Sequence, residues 1–275
     1  MKRIDNAMFE EEMSDEKTVK EEAAISPRPM ATADLFRTAA DPDLTEDMAL
    51  ALLKHNDLSA EIIESLAKNS SALKGRKVKI AVVGHPHTPR HISIPLARQF
   101  YLFDLMKTAL SPCVPSDVKV AIDDVLISRV TTATIGERLT LARRASGRVA
   151  AALLLDKEIG DGKIERRVKD AKTAARESRV MQIALENPRL TEALVVHSVL
   201  RPAAGATLID AVAQHEKWSR RREIRTALLR TEHLSLARAL EFSREIPTAL
   251  LRELLASSRL PTNIKEQLLR ENSAK

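Results

Sequence analysis

The chain has 275 residues, 44% of them hydrophobic and 30% charged, enough for one large domain or two small ones. A single cysteine, Cys113, excludes an intramolecular disulfide and a cysteine-rich zinc site, and fits a reducing cytoplasm. The net charge of +6 is uneven: residues 1–34 carry five basic and nine acidic side chains, and the remaining 241 residues carry +10.

Only 7 glycines and 3% aromatics, against abundant Ala, Leu, Arg and Glu, favour helices over strands. The N-terminus is acidic and polar, with no apolar stretch behind a basic start, so no signal peptide is expected. The longest clean apolar run, Val149 to Leu155, falls far short of the roughly 20 residues of a membrane helix. The expectation is a soluble, cytoplasmic protein with no membrane partner.

Residues 1–40 offer little to bury. Glu10-Glu11-Glu12 and Glu21-Glu22 frame a charged stretch, and Pro27 and Pro29 forbid one continuous helix. The segment reads as a disordered acidic tail, with an arm that folds back on the basic body as its functional alternative.

From Asp41 onward a pattern recurs: the end of one short helix, a tight turn, and the start of the next. Leu52-Leu53 leads through His55-Asn56-Asp57-Leu58 to Ser59, an expected N-cap, and to Ile62, Ile63 and Leu66 on one helical face. Val82-Val83 leads through Gly84-His85-Pro86-His87 to Thr88 as N-cap and Pro89 in the first helical position. Pro95 is expected to bend or end the following helix.

Further copies run through Leu110-Ser111-Pro112-Cys113-Val114, Leu185-Glu186-Asn187-Pro188-Arg189-Leu190-Thr191, Leu229 to Leu234, and Leu255 to Leu260. In five copies an apolar residue precedes the pivot by five positions: Leu53/Leu58, Val83/Thr88, Leu185/Leu190, Leu229/Leu234 and Leu255/Leu260. Pivots at 58, 88 and 114 are 30 and 26 apart, and those at 234 and 260 are 26 apart. Weaker copies are expected around Leu141–Val149 and Pro202–Val212. A period of this length with two short helices per unit belongs to helical solenoids, whose units bury their apolar faces only by stacking.

The turns His85-Pro86-His87-Thr88-Pro89 and Asn187-Pro188-Arg189-Leu190-Thr191, with Ile135–Ser146, resemble those of HEAT-like and leucine-rich-repeat-variant α-solenoids of bacterial proteins. The resemblance covers roughly residues 41–272. It implies an all-α, right-handed α-solenoid of HEAT-like two-helix repeats over 41–275, and a protein-binding scaffold. The iron–sulfur module attached to one such repeat type needs several cysteines, and this chain has one.

The recurrence is interrupted at about 159–179, where seven basic residues (Lys163, Arg166, Arg167, Lys169, Lys172, Arg176, Arg179) accompany four acidic ones. Solenoid insertions lie in loops on one face, often the binding face.

Two other basic runs, Lys74/Arg76/Lys77/Lys79 and Lys217/Arg220/Arg221/Arg222/Arg225, occupy equivalent positions: Val78 matches Ile224, Lys79 matches Arg225 and Ala81 matches Ala227, each 146 residues apart. In a solenoid such charges form a stripe that can follow phosphates. Against this, Trp218, Tyr101 and five phenylalanines offer little base stacking.

No convergent catalytic set is visible. His85, His87 and His91 suggest a metal, but a turn role explains His85, which stands where Asn187 stands in its own copy. Gly160-Asp161-Gly162-Lys163 lacks the spacing of a phosphate loop. Cys113 has no evident base, and Trp218 is expected to pack on the neighbouring unit with its indole N–H at the surface. The reading is a non-enzymatic scaffold that binds another protein, without cofactor or metal. Arg166, Arg167, Lys169, Arg220, Arg221 and Arg222 are its partner-binding candidates, and sequence-nonspecific nucleic-acid binding is the alternative.

Overall fold

The computed structural model describes residues 32–155 and 179–273, and these are all-α, without strands. The expected insertion, apart from Arg179, lies outside the described residues. None of the described helices is long and apolar enough to cross a membrane.

The helices are short. The first nine are α1 (Thr32–Ala40), α2 (Glu46–Leu52), α3 (Ala60–Lys68), α4 (Arg76–Gly84), α5 (Arg90–Ala97), α6 (Leu102–Leu110), α7 (Ser116–Val130), α8 (Ile135–Arg144) and α9 (Gly147–Leu154). Helical residues 179–185 form α10. Then follow α11 (Glu192–Leu200), α12 (Ala206–Gln214), α13 (Glu216–Ser219), α14 (Arg222–Leu228), α15 (Leu236–Ser243), α16 (Thr248–Ala256) and α17 (Thr262–Ser273).

Sequence neighbours pack as hairpins, including α4 with α5, α6 with α7, α8 with α9 and α16 with α17. Helices two apart also touch: α1 with α3, α2 with α4, α4 with α6, α5 with α7, α7 with α9 and α9 with α11. One continuous core results, running from Ala39 to Leu268. All ten side chains of the five pivot pairs are buried in it.

The turns carry their own fastening. The last carbonyls of a helix have no partner within it, and leaving one buried and unpaired costs about 1–3 kcal/mol. Here a polar side chain in one turn reaches the helix-end carbonyls of an earlier one. Asn187 Nδ2 donates to the carbonyls of Ala142 (2.7 Å) and Ala145 (3.2 Å), while its Oδ1 accepts from the Arg189 N–H (2.8 Å). Asn69 does the same toward Ala39 (3.3 Å) and Asp41 (2.6 Å), and accepts from Ser71 N–H (3.1 Å). Ser258 bonds the Leu229 carbonyl (2.6 Å) and accepts from Leu260 N–H (3.0 Å). Asn272 reaches the carbonyls of Ser243 (3.3 Å) and Ile246 (3.2 Å).

Several local expectations are corrected. Thr32–Ala40, placed by sequence in the tail, is a helix that packs on α3 and buries Ala39. Thr88 does not cap α5. Its hydroxyl turns back to the Val82 carbonyl at the end of α4, and Pro89 becomes the N-cap residue. Ser59 and Thr191 stand at N-cap positions without a capping side-chain bond. Pro95 lies inside α5, which continues to Ala97.

The 146-residue offset reaches beyond the three positions seen in the sequence. Helices α4, α5, α6 and α7 begin at Arg76, Arg90, Leu102 and Ser116; α14, α15, α16 and α17 begin at Arg222, Leu236, Thr248 and Thr262, each 146 later. Matched core positions are buried in both sets, among them Val78/Ile224, Leu96/Phe242, Leu105/Leu251, Val114/Leu260 and Ile122/Leu268.

Candidate functional site

The two basic runs are brought to equivalent helices, and much of their charge is already engaged. Arg76 donates from Nε to Asp104 Oδ2 (2.8 Å) and pairs with the same oxygen through its terminal nitrogen (2.6 Å). Its guanidinium also lies 4.8 Å from the Tyr101 ring centre. Lys79 donates to Gln99 Oε1 at 3.2 Å. Arg225, matching Lys79, pairs with Glu245, which matches Gln99, and lies over Phe242. Only 17% of the Arg225 side chain is exposed.

Of the residues predicted to bind a partner, Arg166, Arg167 and Lys169 lie outside the described residues. Arg220 pairs with Glu216 at 3.0 Å, both side chains open to solvent, and Arg221 lies 3.8 Å from Glu192. Such exposed pairs contribute little to stability, about 0–1 kcal/mol. Arg222 differs: it is exposed, opens α14, and has no ion pair among the described residues.

Arg222 borders a groove between α14 and α16 with a volume of about 370 Å³. Ile246, Leu250 and Leu254 supply its apolar surface; Arg222, Glu223, Arg230 and Glu253 supply its rim. Leu250 is 41% exposed although it sits in an amphipathic helix. Sequence reasoning missed the groove because the Leu-rich α16 reads as core throughout. Extending the 146-residue match to Leu250, which stands opposite Asp104, was the signal that could have found it.

Trp218 is 2% exposed, and its indole N–H is not at the surface: it donates to the Leu185 carbonyl at 2.8 Å. Lys217 lies 4.0 Å from its ring centre. The adjacent His215 accepts the Lys217 N–H at Nδ1 (3.2 Å). Burial pulls the His215 pKa down, outweighing the raising influence of Glu186, and so favours the neutral ring that can accept.

Of the histidines of the expected cluster, His85 and His87 are turn residues and His91 lies in α5. His85 accepts the His87 N–H at Nδ1 (3.2 Å), which leaves Nε2 protonated and donating to the His55 carbonyl (3.1 Å). His87 Nδ1 contacts the Leu58 carbonyl (3.0 Å), and His91 lies 3.5 Å from Glu64. Among the described residues no three His, Cys, Asp or Glu side chains converge as a metal site. Cys113 is exposed between α6 and α7. A second groove, of about 390 Å³, is lined by Leu139, Thr140, Arg143, Arg144, Arg179 and Ile183, with no acid among them.

No protein family, no curated protein and no solved structure matches the chain.

Proposed function

We infer that the chain is a non-enzymatic scaffold that binds another protein, built as a right-handed α-solenoid of HEAT-like two-helix units. Packing of helices on the next but one, with turn-to-turn bonds about thirty residues apart such as His85 to His55 and Asn69 to Ala39, supports the solenoid reading. The single observation that carries the binding function is the groove between α14 and α16. Its apolar surface, exposed Leu250 included, is rimmed by charge of both signs, which suits the face of an amphipathic partner helix.

Affinity capture on the full chain tests this, with Leu250→Arg as the control. A protein enriched by the natural chain and lost by the variant supports the scaffold; identical recovery by both contradicts it.

Sequence-nonspecific nucleic-acid binding has one observation in its favour, the groove of Arg143, Arg144 and Arg179. Local pairing of Arg76, Lys79 and Arg225 weakens the stripe on which that reading first rested. Retention on heparin that falls steeply with salt and is lost in Arg143→Glu/Arg144→Glu would favour it over the scaffold.

A further inference from the structure

The first half of the chain carries a paired counterpart of Arg222. Arg76 opens α4, and Asp104 of α6 receives its guanidinium at 2.6 and 2.8 Å while Tyr101 lies against it. Asp104 is buried, so the pair is shielded from water on that side. At the matching place in the second half Arg222 opens α14, but Leu250 stands where Asp104 does and Pro247 where Tyr101 does. Arg222 keeps the position and loses both partners.

The surroundings change in the same sense. Lys77 and Lys107 of the first half correspond to Glu223 and Glu253, so the rim holds two arginines and two glutamates. A polyanion gains nothing from such a rim. One carboxylate set among apolar side chains gains a planar, two-pronged partner in Arg222 and apolar contact with Leu250.

Resting on the groove reading above, we propose that the occupant is an amphipathic helix of a partner protein whose aspartate or glutamate binds Arg222. That carboxylate supplies in trans what Asp104 supplies to Arg76 within the chain. Apolar side chains of the same helix lie over Ile246, Leu250 and Leu254. Arg222 selects for acid, and Leu250 supplies the surface that a partner must cover.

The chain itself provides the test, because Leu250→Asp installs the missing carboxylate beside Arg222. Helical peptides of about 16 residues, roughly 24 Å long, are selected from a display library on the full chain and counter-selected on Leu250→Arg. The selected peptides are expected to share one required Asp or Glu. Its replacement by the amide, or Arg222→Gln, should each weaken binding about tenfold, and the two together little more than either alone. Leu250→Asp should lose the peptides, and Leu250→Asn should lose them less. A thermal melt checks that Leu250→Asp folds; should it not, Arg222→Gln carries the test alone. Peptides that bind and respond to Leu250→Arg, but are indifferent to the acid-to-amide change and to Arg222→Gln, overturn the carboxylate and leave the groove reading standing. Failure to enrich any peptide sensitive to Leu250→Arg overturns both.

Discussion

At the residue scale, one task recurs in different chemistry. A helix end presents carbonyls without partners, and Asn69, His85, Asn187 and Ser258 each satisfy such carbonyls in an earlier turn while accepting a backbone N–H of their own. Trp218 joins them as a donor, its N–H taking the Leu185 carbonyl. The equivalence of His85 and Asn187 was legible, because both stand three residues before a buried pivot. The direction of the Thr88 hydroxyl and of the Trp218 N–H was not, since either could be satisfied by solvent and only packing excludes it. His85→Ala should therefore cost about 1–3 kcal/mol in denaturant unfolding, whereas His85→Asn, which restores the chemistry of Asn187, should recover most of the loss. Asp123 is a liability of the opposite kind. Burial raises its carboxyl pKa above the ordinary value, more than the Ser146 hydroxyl and Arg148 lower it, and Oδ1 is buried without a partner among the described residues. The folded state thus holds this proton more tightly than the unfolded chain. Stability from this group falls as pH rises from the ordinary carboxylate value through the raised one. Asp123→Asn should melt higher than the natural chain at neutral pH, and the difference should vanish once both states are protonated.

At the element scale, helix ends are fixed more by what they meet than by helix preference. Gly147 opens α9 against the Asn187 turn, and a Cβ there would lie 2.2 Å from the Arg189 carbonyl oxygen and 3.0 Å from Leu194 Cδ1. Alanine ordinarily favours a helix over glycine by about 1 kcal/mol. Here the obstacle is backbone, and overpacking of this kind costs about 1–3 kcal/mol, so Gly147→Ala should lower the melting temperature. An increase would mean that the two turns part easily. Long apolar periodicity made most of the later helices legible. The helix Thr32–Ala40 was not, because it follows Pro27 and Pro29 and offers only Leu35, Phe36 and a few alanines; its fold comes from packing on α3. The helix α16 was legible as a helix and misleading as a site, because its exposed leucine looks like its buried ones until its neighbours are known.

At the scale of the whole molecule, part of the positive charge of the matched runs is engaged locally, while Lys74, Lys77 and Arg222 are exposed and have no ion pair among the described residues. Arg76, Lys79, Arg220, Arg221 and Arg225 each have a partner, so charge reversal at Arg220 and Arg221 should change heparin retention modestly. What distinguishes the two matched halves is the site where Arg76 is paired with Asp104 and its counterpart Arg222 has no ion pair among the described residues. Three matching residues hinted at this correspondence in the sequence. Its extent shows in four successive helix starts at the same offset, since the side chains between them have diverged. The most direct measurement is amide hydrogen exchange on the full chain, with and without a partner captured by it. The account predicts slowed exchange over Arg222–Arg230 and Ile246–Ser257, with Arg76–Leu110 unchanged. Slowing confined to Arg76–Leu110, or to the arginine groove at Leu139–Arg144, would contradict it.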